Sequence, residues 1–112
     1  MDFRNIKEAK EAIIEYIELY SECSKRGDYK GANKNVKKIL STKDFIEENY
    51  GLETLKDLLD SDDDKILVWI AKFLLPIYEE ISIAVLEKVI ASNIPDSSFS
   101  AEMIMKEWRK NQ

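Results

Sequence analysis

The chain has 112 residues, of which 45% are hydrophobic and 35% charged, and its formal net charge is −5. This length fits a single domain over 1–112, because domains commonly have ~100–150 residues. The composition is too apolar for a disordered chain. The sequence has no histidine and one cysteine, Cys23. It therefore excludes disulfide frameworks, histidine-ligated metals and histidine-activated nucleophiles.

Apolar residues recur at spacings of three and four in the first half of the chain, which is typical of amphipathic helices. The first predicted helix runs over 5–24 and is ended by Gly27, since glycine readily adopts the left-handed conformation of a helix stop. Asp28 is the expected N-cap of the second helix. Residues 41–43 are expected to kink or break that helix before a further helical segment over 44–50.

The second half of the chain predicts four more helical elements. A short leucine-rich helix covers 52–59, and an aspartate-rich turn precedes a helix over 65–75. A fifth helix covers 78–91, residues 93–98 form a loop around a proline, and Ser98 is the expected cap of the last helix. The residues expected to be largely buried are Leu55, Leu58, Ile66, Ile70, Ala71, Leu74, Val85, Val89, Ile104 and Trp108.

The longest apolar stretch, 66–78, has 13 residues and is interrupted by Lys72 and Pro76. A membrane span needs ~20 predominantly apolar residues, so this stretch predicts a buried helix. A free thiol and the lack of an export signal at the N-terminus favour a cytoplasmic protein.

Residues 52–75, LETLKDLLDSDDDKILVWIAKFLL, resemble a HEAT repeat: a leucine-rich helix, an Asp-rich turn and a second helix with a small residue near its middle. More broadly, the chain resembles a family of small bacterial proteins with a HEAT-like domain of unknown function. The other matching segments are GDYKGANK (27–34), LLP (74–76), VLEKV (85–89) and SAEMIMKEWRK (100–110). About six helices joined by mostly short loops predict an all-α fold of three antiparallel hairpins. The resemblance implies that these form a HEAT/armadillo-like right-handed α–α superhelix. It implies no catalytic residues.

The sequence offers no convincing metal, cofactor or catalytic site. The aspartates of 60–64 lack the glycine and glutamate that an EF-hand loop requires at its sixth and twelfth positions. The adjacent glutamates at 47–48 and 79–80 point ~100° apart on a helix, so they do not converge as an acid–base pair. We therefore expect a protein that is not an enzyme and that needs no cofactor.

The charges are unevenly distributed among the predicted hairpins. The first helices together carry −7 and the second helices +7. In α-solenoids the concave surface is the usual binding surface. If the second helices line it, they form a basic face that includes Lys34, Lys37, Lys72 and Arg109. Nucleic-acid binding through this face is the alternative function. Charges that serve only solubility are a further explanation.

An acidic stretch follows the basic second helix, with a charge of −8 over residues 44–64. Three aspartates, at 62–64, are explained as caps of the next helix. The acids without that explanation are Glu47, Glu48, Glu53 and Asp57. We hypothesise that they form a docking patch for a basic protein. The sequence as a whole thus predicts a non-catalytic protein-interaction module, with an immunity or regulatory role toward a bacterial partner.

Overall fold

The computed structural model describes residues 2–111, and these contain six helices and no strand. Five are α-helices and one is a 3₁₀ helix. In chain order they are α1 (Ile6–Lys25), α2 (Tyr29–Asn49), the 3₁₀ helix (Leu52–Asp60), α3 (Asp64–Leu74), α4 (Glu79–Ala91) and α5 (Pro95–Lys110). The all-helical class that the periodicity predicted is confirmed.

The chain divides into two compact units, the first extending to Thr54 and the second beginning at Leu55. In the first unit, α1 and α2 pack against each other. Each helix buries the side chains of one face; these are Ala9, Ile13, Ile17 and Cys23 on α1, and Ala32, Asn35, Ile39, Thr42 and Ile46 on α2. Phe3 lies edge-on to Phe45, with ring centroids 5.3 Å apart.

In the second unit, α3, α4 and α5 all contact one another. Their shared core consists of Leu67, Val68, Ala71, Leu75, Leu86, Val89, Ala101 and Met105. α3 is buried on most sides, as expected for a helix that is apolar nearly all round. Of the ten residues predicted to be buried, six are. Leu58, Val85, Ile104 and Trp108 are half-buried instead.

Several helix ends follow the predicted chemistry. Gly27 has a φ of +72°, the left-handed conformation that glycine tolerates best. Asp28 caps α2 by accepting a hydrogen bond from the Gly31 N–H at 3.0 Å. In the aspartate-rich turn, Asp63 caps α3 by accepting from the Lys65 N–H at 2.9 Å. These caps satisfy backbone donors that a helix leaves unpaired in its first turn.

Two sequence predictions are wrong. The expected break at 41–43 does not occur, and α2 continues through it. The Thr42 side chain is buried, and its hydroxyl donates to the Lys38 carbonyl at 2.7 Å, so its polar group is satisfied without leaving the helix. The expected loop over 93–98 also ends early, because α5 begins at Pro95. Proline suits the first helical position, since its fixed φ is helical and its missing N–H is not needed there.

Two smaller predictions also need correction. The segment expected as a short α-helix over 52–59 is a 3₁₀ helix. Ser98 does not cap the last helix but lies within it, where its hydroxyl donates to the Ile90 carbonyl at 3.1 Å. In the described part of the chain, none of the helices has the length and apolarity needed to cross a membrane.

Candidate interaction surfaces

The residues of the two predicted sites fall on four elements. Glu47 and Glu48 lie in the last turn of α2, whereas Glu53 and Asp57 belong to the 3₁₀ helix. Of the predicted basic residues, Lys34 and Lys37 lie on α2, Lys72 on α3 and Arg109 on α5. All eight side chains are exposed. The structure thus brings two residues of each set onto a single helix, α2.

An exposed polar face runs along α2 from end to end. Its six residues are spaced alternately four and three apart, which keeps them on one side of a helix. We call this the α2 polar face; it consists of Lys30, Lys34, Lys37, Ser41, Asp44 and Glu48. Glu47 is exposed beside it. The face is therefore basic along its first half and acidic along its second.

This order of charges opposes the helix macrodipole. A helix carries partial positive charge at its N-terminus and partial negative charge at its C-terminus, and a side-chain charge at either end changes stability by ~0.3–1 kcal/mol. α2 has no acidic residue in its first turn and no basic residue in its last. Of the exposed charges on α2, only Lys30 in the first turn and Glu47 and Glu48 in the last therefore lie where the macrodipole disfavours them. The Asp28 cap places a favourable negative charge at the same N-terminus.

Ion pairing compensates for only part of this arrangement. Lys43 Nζ lies 3.5 Å from an Asp44 oxygen and 3.4 Å from a Glu47 oxygen. Pairs as exposed as these contribute little to stability. Among the described residues, Lys34, Lys37 and Glu48 have no ion-pair partner within the chain. Most charges of the α2 polar face thus remain available to a partner.

The second unit has an open groove of about 430 Å³ between the end of α3 and the C-terminal half of α5. It is lined by Lys72, Leu75, Pro76, Met103, Ile104, Glu107, Trp108 and Asn111. The lining is mainly apolar, with charged side chains contributed by Lys72 and Glu107. Lys72 Nζ lies 5.7 Å from the centroid of the Trp69 ring, within the range of a cation–π contact.

A second exposed row of side chains runs along α5 beside the groove. Its residues are spaced alternately three and four apart, so they too share one side of the helix. We call this row the α5 stripe; it consists of Asp96, Phe99, Met103, Lys106 and Lys110, all of them exposed. Phe99 exposes 65% of its surface and Met103 exposes 48%. The stripe is apolar in its middle and charged at both ends.

Two of the four aspartates at 60–64 have a structural role, and Asp62, which was expected to help cap α3, is not its N-cap. Asp63 caps α3, and Asp64 accepts a hydrogen bond from the Ser92 hydroxyl at 3.1 Å. Within residues 2–111, no three acidic or cysteine side chains converge as a metal site requires. The two candidate interaction surfaces are therefore the α2 polar face and the α5 stripe with its groove.

The sequence alone did not identify the α2 polar face or the α5 stripe as continuous surfaces. The expected break at 41–43 divided α2 and so separated its lysines from the acids that follow them. The unbroken spacing of three and four from Lys30 to Glu48 is the pattern that identifies one face. On the last helix, the sequence does not distinguish Phe99 and Met103 from apolar residues of the core, but the structure exposes them.

Comparisons of this chain with protein families, with curated proteins and with solved structures find no match. The bacterial HEAT-like family that the sequence resembles is thus not recognised by them. The evidence for function is the chemistry of the two surfaces.

Proposed function

We propose that this protein is a non-catalytic protein-interaction module that binds a partner protein through the α2 polar face. In the complex, acidic groups of the partner face Lys30, Lys34 and Lys37. Basic groups of the partner face Asp44 and Glu48. The observation that supports this proposal is the order of charges on α2, which opposes the helix macrodipole.

Neither stability nor solubility explains that order. Stability favours acids in the first turn of a helix and bases in the last. Solubility depends on the net charge and its spread over the surface, and the reversed order would serve it equally well. A partner with a matching order of charge gives a reason for the arrangement, because complementary charges speed association and fix the orientation of binding.

Nucleic-acid binding is the second candidate. It is supported by the exposed lysines in the first half of α2, which suit contacts to phosphates. However, a phosphate backbone that follows α2 soon reaches its acidic half. A phosphate that contacts Asp44 or Glu48 is repelled, and the chain as a whole carries a net charge of −5, whereas dedicated nucleic-acid binders are usually basic. The protein partner is therefore favoured.

We also propose a biological role and a more specific fold for this protein. The biological form that we propose is an immunity or regulatory protein that acts on a bacterial partner in the cytoplasm. The fold that we propose is a HEAT-like superhelix of three hairpins, supported by the packing of α1 against α2 and of α4 against α5. Lys72 and Arg109 are proposed as further basic contacts for a partner. Glu53 and Asp57 are proposed as further acidic contacts.

The test compares two charge reversals on α2 with a matched control. One variant carries Lys34→Glu and Lys37→Glu, and another carries Glu47→Lys and Glu48→Lys. The control carries Glu15→Lys and Glu18→Lys on α1, which are also exposed and change the net charge by the same amount as the second variant. Each immobilised protein is offered a bacterial cytosolic extract and, separately, a labelled single-stranded oligonucleotide.

A protein partner on the α2 polar face requires both halves of that face. We expect one protein to be retained by the wild type and the control, and to be lost by both α2 variants. A nucleic-acid binder gives a different result, because Glu47→Lys with Glu48→Lys would then strengthen oligonucleotide binding while the lysine reversals weaken it. Equal retention by all four proteins would contradict both functions.

A further inference from the structure

The α5 stripe combines exposed apolar side chains with an adjacent apolar groove. Phe99 and Met103 are one helical turn apart. Met103 also lines the groove, together with Leu75, Pro76 and Ile104. Exposed apolar residues beside a groove are typical of interaction surfaces, because burying them against a partner removes them from water. This observation indicates a binding surface but does not by itself identify the occupant.

The charges at the ends of the stripe identify the occupant. Asp96 lies seven residues before Met103, and Lys110 lies seven residues after it. Each is therefore about 10 Å from Met103 along the axis. Two copies of α5 that run antiparallel, with a twofold axis at Met103, bring each Asp96 opposite the Lys110 of the other copy. Such self-complementarity is what an isologous interface requires.

We infer that α5 binds the α5 of a second copy of this chain, which makes the protein a homodimer. The two Met103 side chains meet at the twofold axis. Phe99 is four residues from Met103, about 6 Å along the axis, and so reaches the level of Glu107 on the second copy. Glu107 lines the groove, so each Phe99 lies at the mouth of the other copy's groove.

A different protein does not require this symmetry. A foreign helix needs charges that complement Asp96 and Lys110, but these need not be opposite in sign and equally distant from Met103. The inference is independent of the α2 polar face, and a dimer would carry two such faces.

The first test measures the dimer dissociation constant of the full chain by sedimentation equilibrium. We expect the wild type to dimerise and Phe99→Asp to weaken the dimer roughly 30-fold or more, as the loss of a central aromatic anchor does. The control is Tyr29→Asp, which replaces an aromatic residue of comparable exposure, 75%, near the start of α2. Both changes are at exposed positions and should leave the helix content unchanged.

The second test uses the symmetry of the charges. Asp96→Lys and Lys110→Asp each create two repulsive pairs per dimer, and we expect each variant alone to dimerise roughly tenfold more weakly. In an equimolar mixture, one copy has two basic ends and the other has two acidic ends. The mixture should therefore form a heterodimer as tight as the wild-type homodimer. Destabilisation of α5 by either change would not be reversed by mixing.

Three results would overturn the inference. The first is a wild type that stays monomeric over the whole concentration range. The second is a dimer whose dissociation constant is the same with Phe99→Asp as in the wild type. The third is a mixture of Asp96→Lys and Lys110→Asp proteins that associates no better than each does alone.

Discussion

α2 and α5 each have an exposed row of residues with charges toward both ends of the helix. From the N-terminus to the C-terminus, the order of positive and negative charge on α2 is opposite to that on α5. α5 has Asp96 in its first turn and Arg109 and Lys110 in its last, so its charges stabilise the helix through the macrodipole. α2 has lysines toward its start and acids at its end. We propose a partner for the charges of α2 because, unlike those of α5, they are not explained by the helix's own stability.

The comparison also separates the two lines of evidence for interaction. On α5, the charges of Asp96 and Lys110 also favour the helix itself, but helix stability does not require them to lie on the same exposed row as Phe99 and Met103 or at equal distances from Met103. The evidence for a dimer lies in that placement and in the exposure of the two apolar side chains. On α2, the exposed face is almost entirely polar, and the evidence lies in the order of charge. Substitutions on the two helices distinguish these two sources of evidence.

The largest effects on the free energy of unfolding are expected from substitutions on the buried faces of α2 and α5, because these faces pack each helix onto its core. Ile39 is fully buried on α2, and Met105 is buried on α5. Ile39→Ala and Met105→Ala should each lower the free energy of unfolding by ~2–5 kcal/mol through lost burial and a residual cavity. Urea denaturation followed by circular dichroism measures this. The control Leu40→Ala, at a partly exposed position, should change it by under ~0.5 kcal/mol.

Effects of intermediate size on the free energy of unfolding are expected from substitutions at the N-caps of α2 and α5. Asp28 caps α2, whereas Ile94 precedes α5 without a side-chain hydrogen bond. Asp28→Ala should lower the free energy of unfolding by ~0.5–2 kcal/mol, and Ile94→Asp should raise it by ~0.5–1 kcal/mol, because a carboxylate cap pairs a free backbone N–H. Thermal denaturation compares the two variants. A destabilising Ile94→Asp would show that the start of α5 has no donor that a cap can reach.

The smallest effects concern the macrodipole. Glu48→Lys should raise the free energy of unfolding by ~0.3–1 kcal/mol, and Lys110→Glu should lower it by a similar amount. Both changes should shrink in 1 M salt, where the screening length falls to ~3 Å. Urea titrations at low and high salt measure this difference. Changes of the same sign in the two variants would remove the contrast between α2 and α5.

Much of the fold was predictable because local chemistry fixes helix ends. Gly27 and Asp28 end one helix and begin the next through their own backbone and side-chain preferences. The continuity of α2 was missed because serine and threonine side chains can bond to nearby backbone groups and so favour turns. In the folded chain the Thr42 side chain is buried within the helix. The early start of α5 was missed because Pro95 suits both a loop and the first position of a helix.

The candidate surfaces were predictable only in part. Lys34, Lys37, Glu47 and Glu48 stood out by charge, but their common face depends on the unbroken course of α2. Phe99 and Met103 could not be distinguished from core residues in the sequence. The local sequence around an apolar side chain does not show whether another helix packs over it. Only the packing of α3, α4 and α5 determines which side of α5 is left exposed.

One variant tests the central claim, that the charge order of α2 serves a partner, most directly. It exchanges the two halves of the α2 surface by Lys34→Glu, Lys37→Glu, Glu47→Lys and Glu48→Lys, and so leaves the net charge at −5. The measurement is the retention of a wild-type binding partner from cytosolic extract by this variant. We predict that the partner is lost although the variant unfolds at higher urea than the wild type. Full retention of the partner would contradict the proposed role of α2.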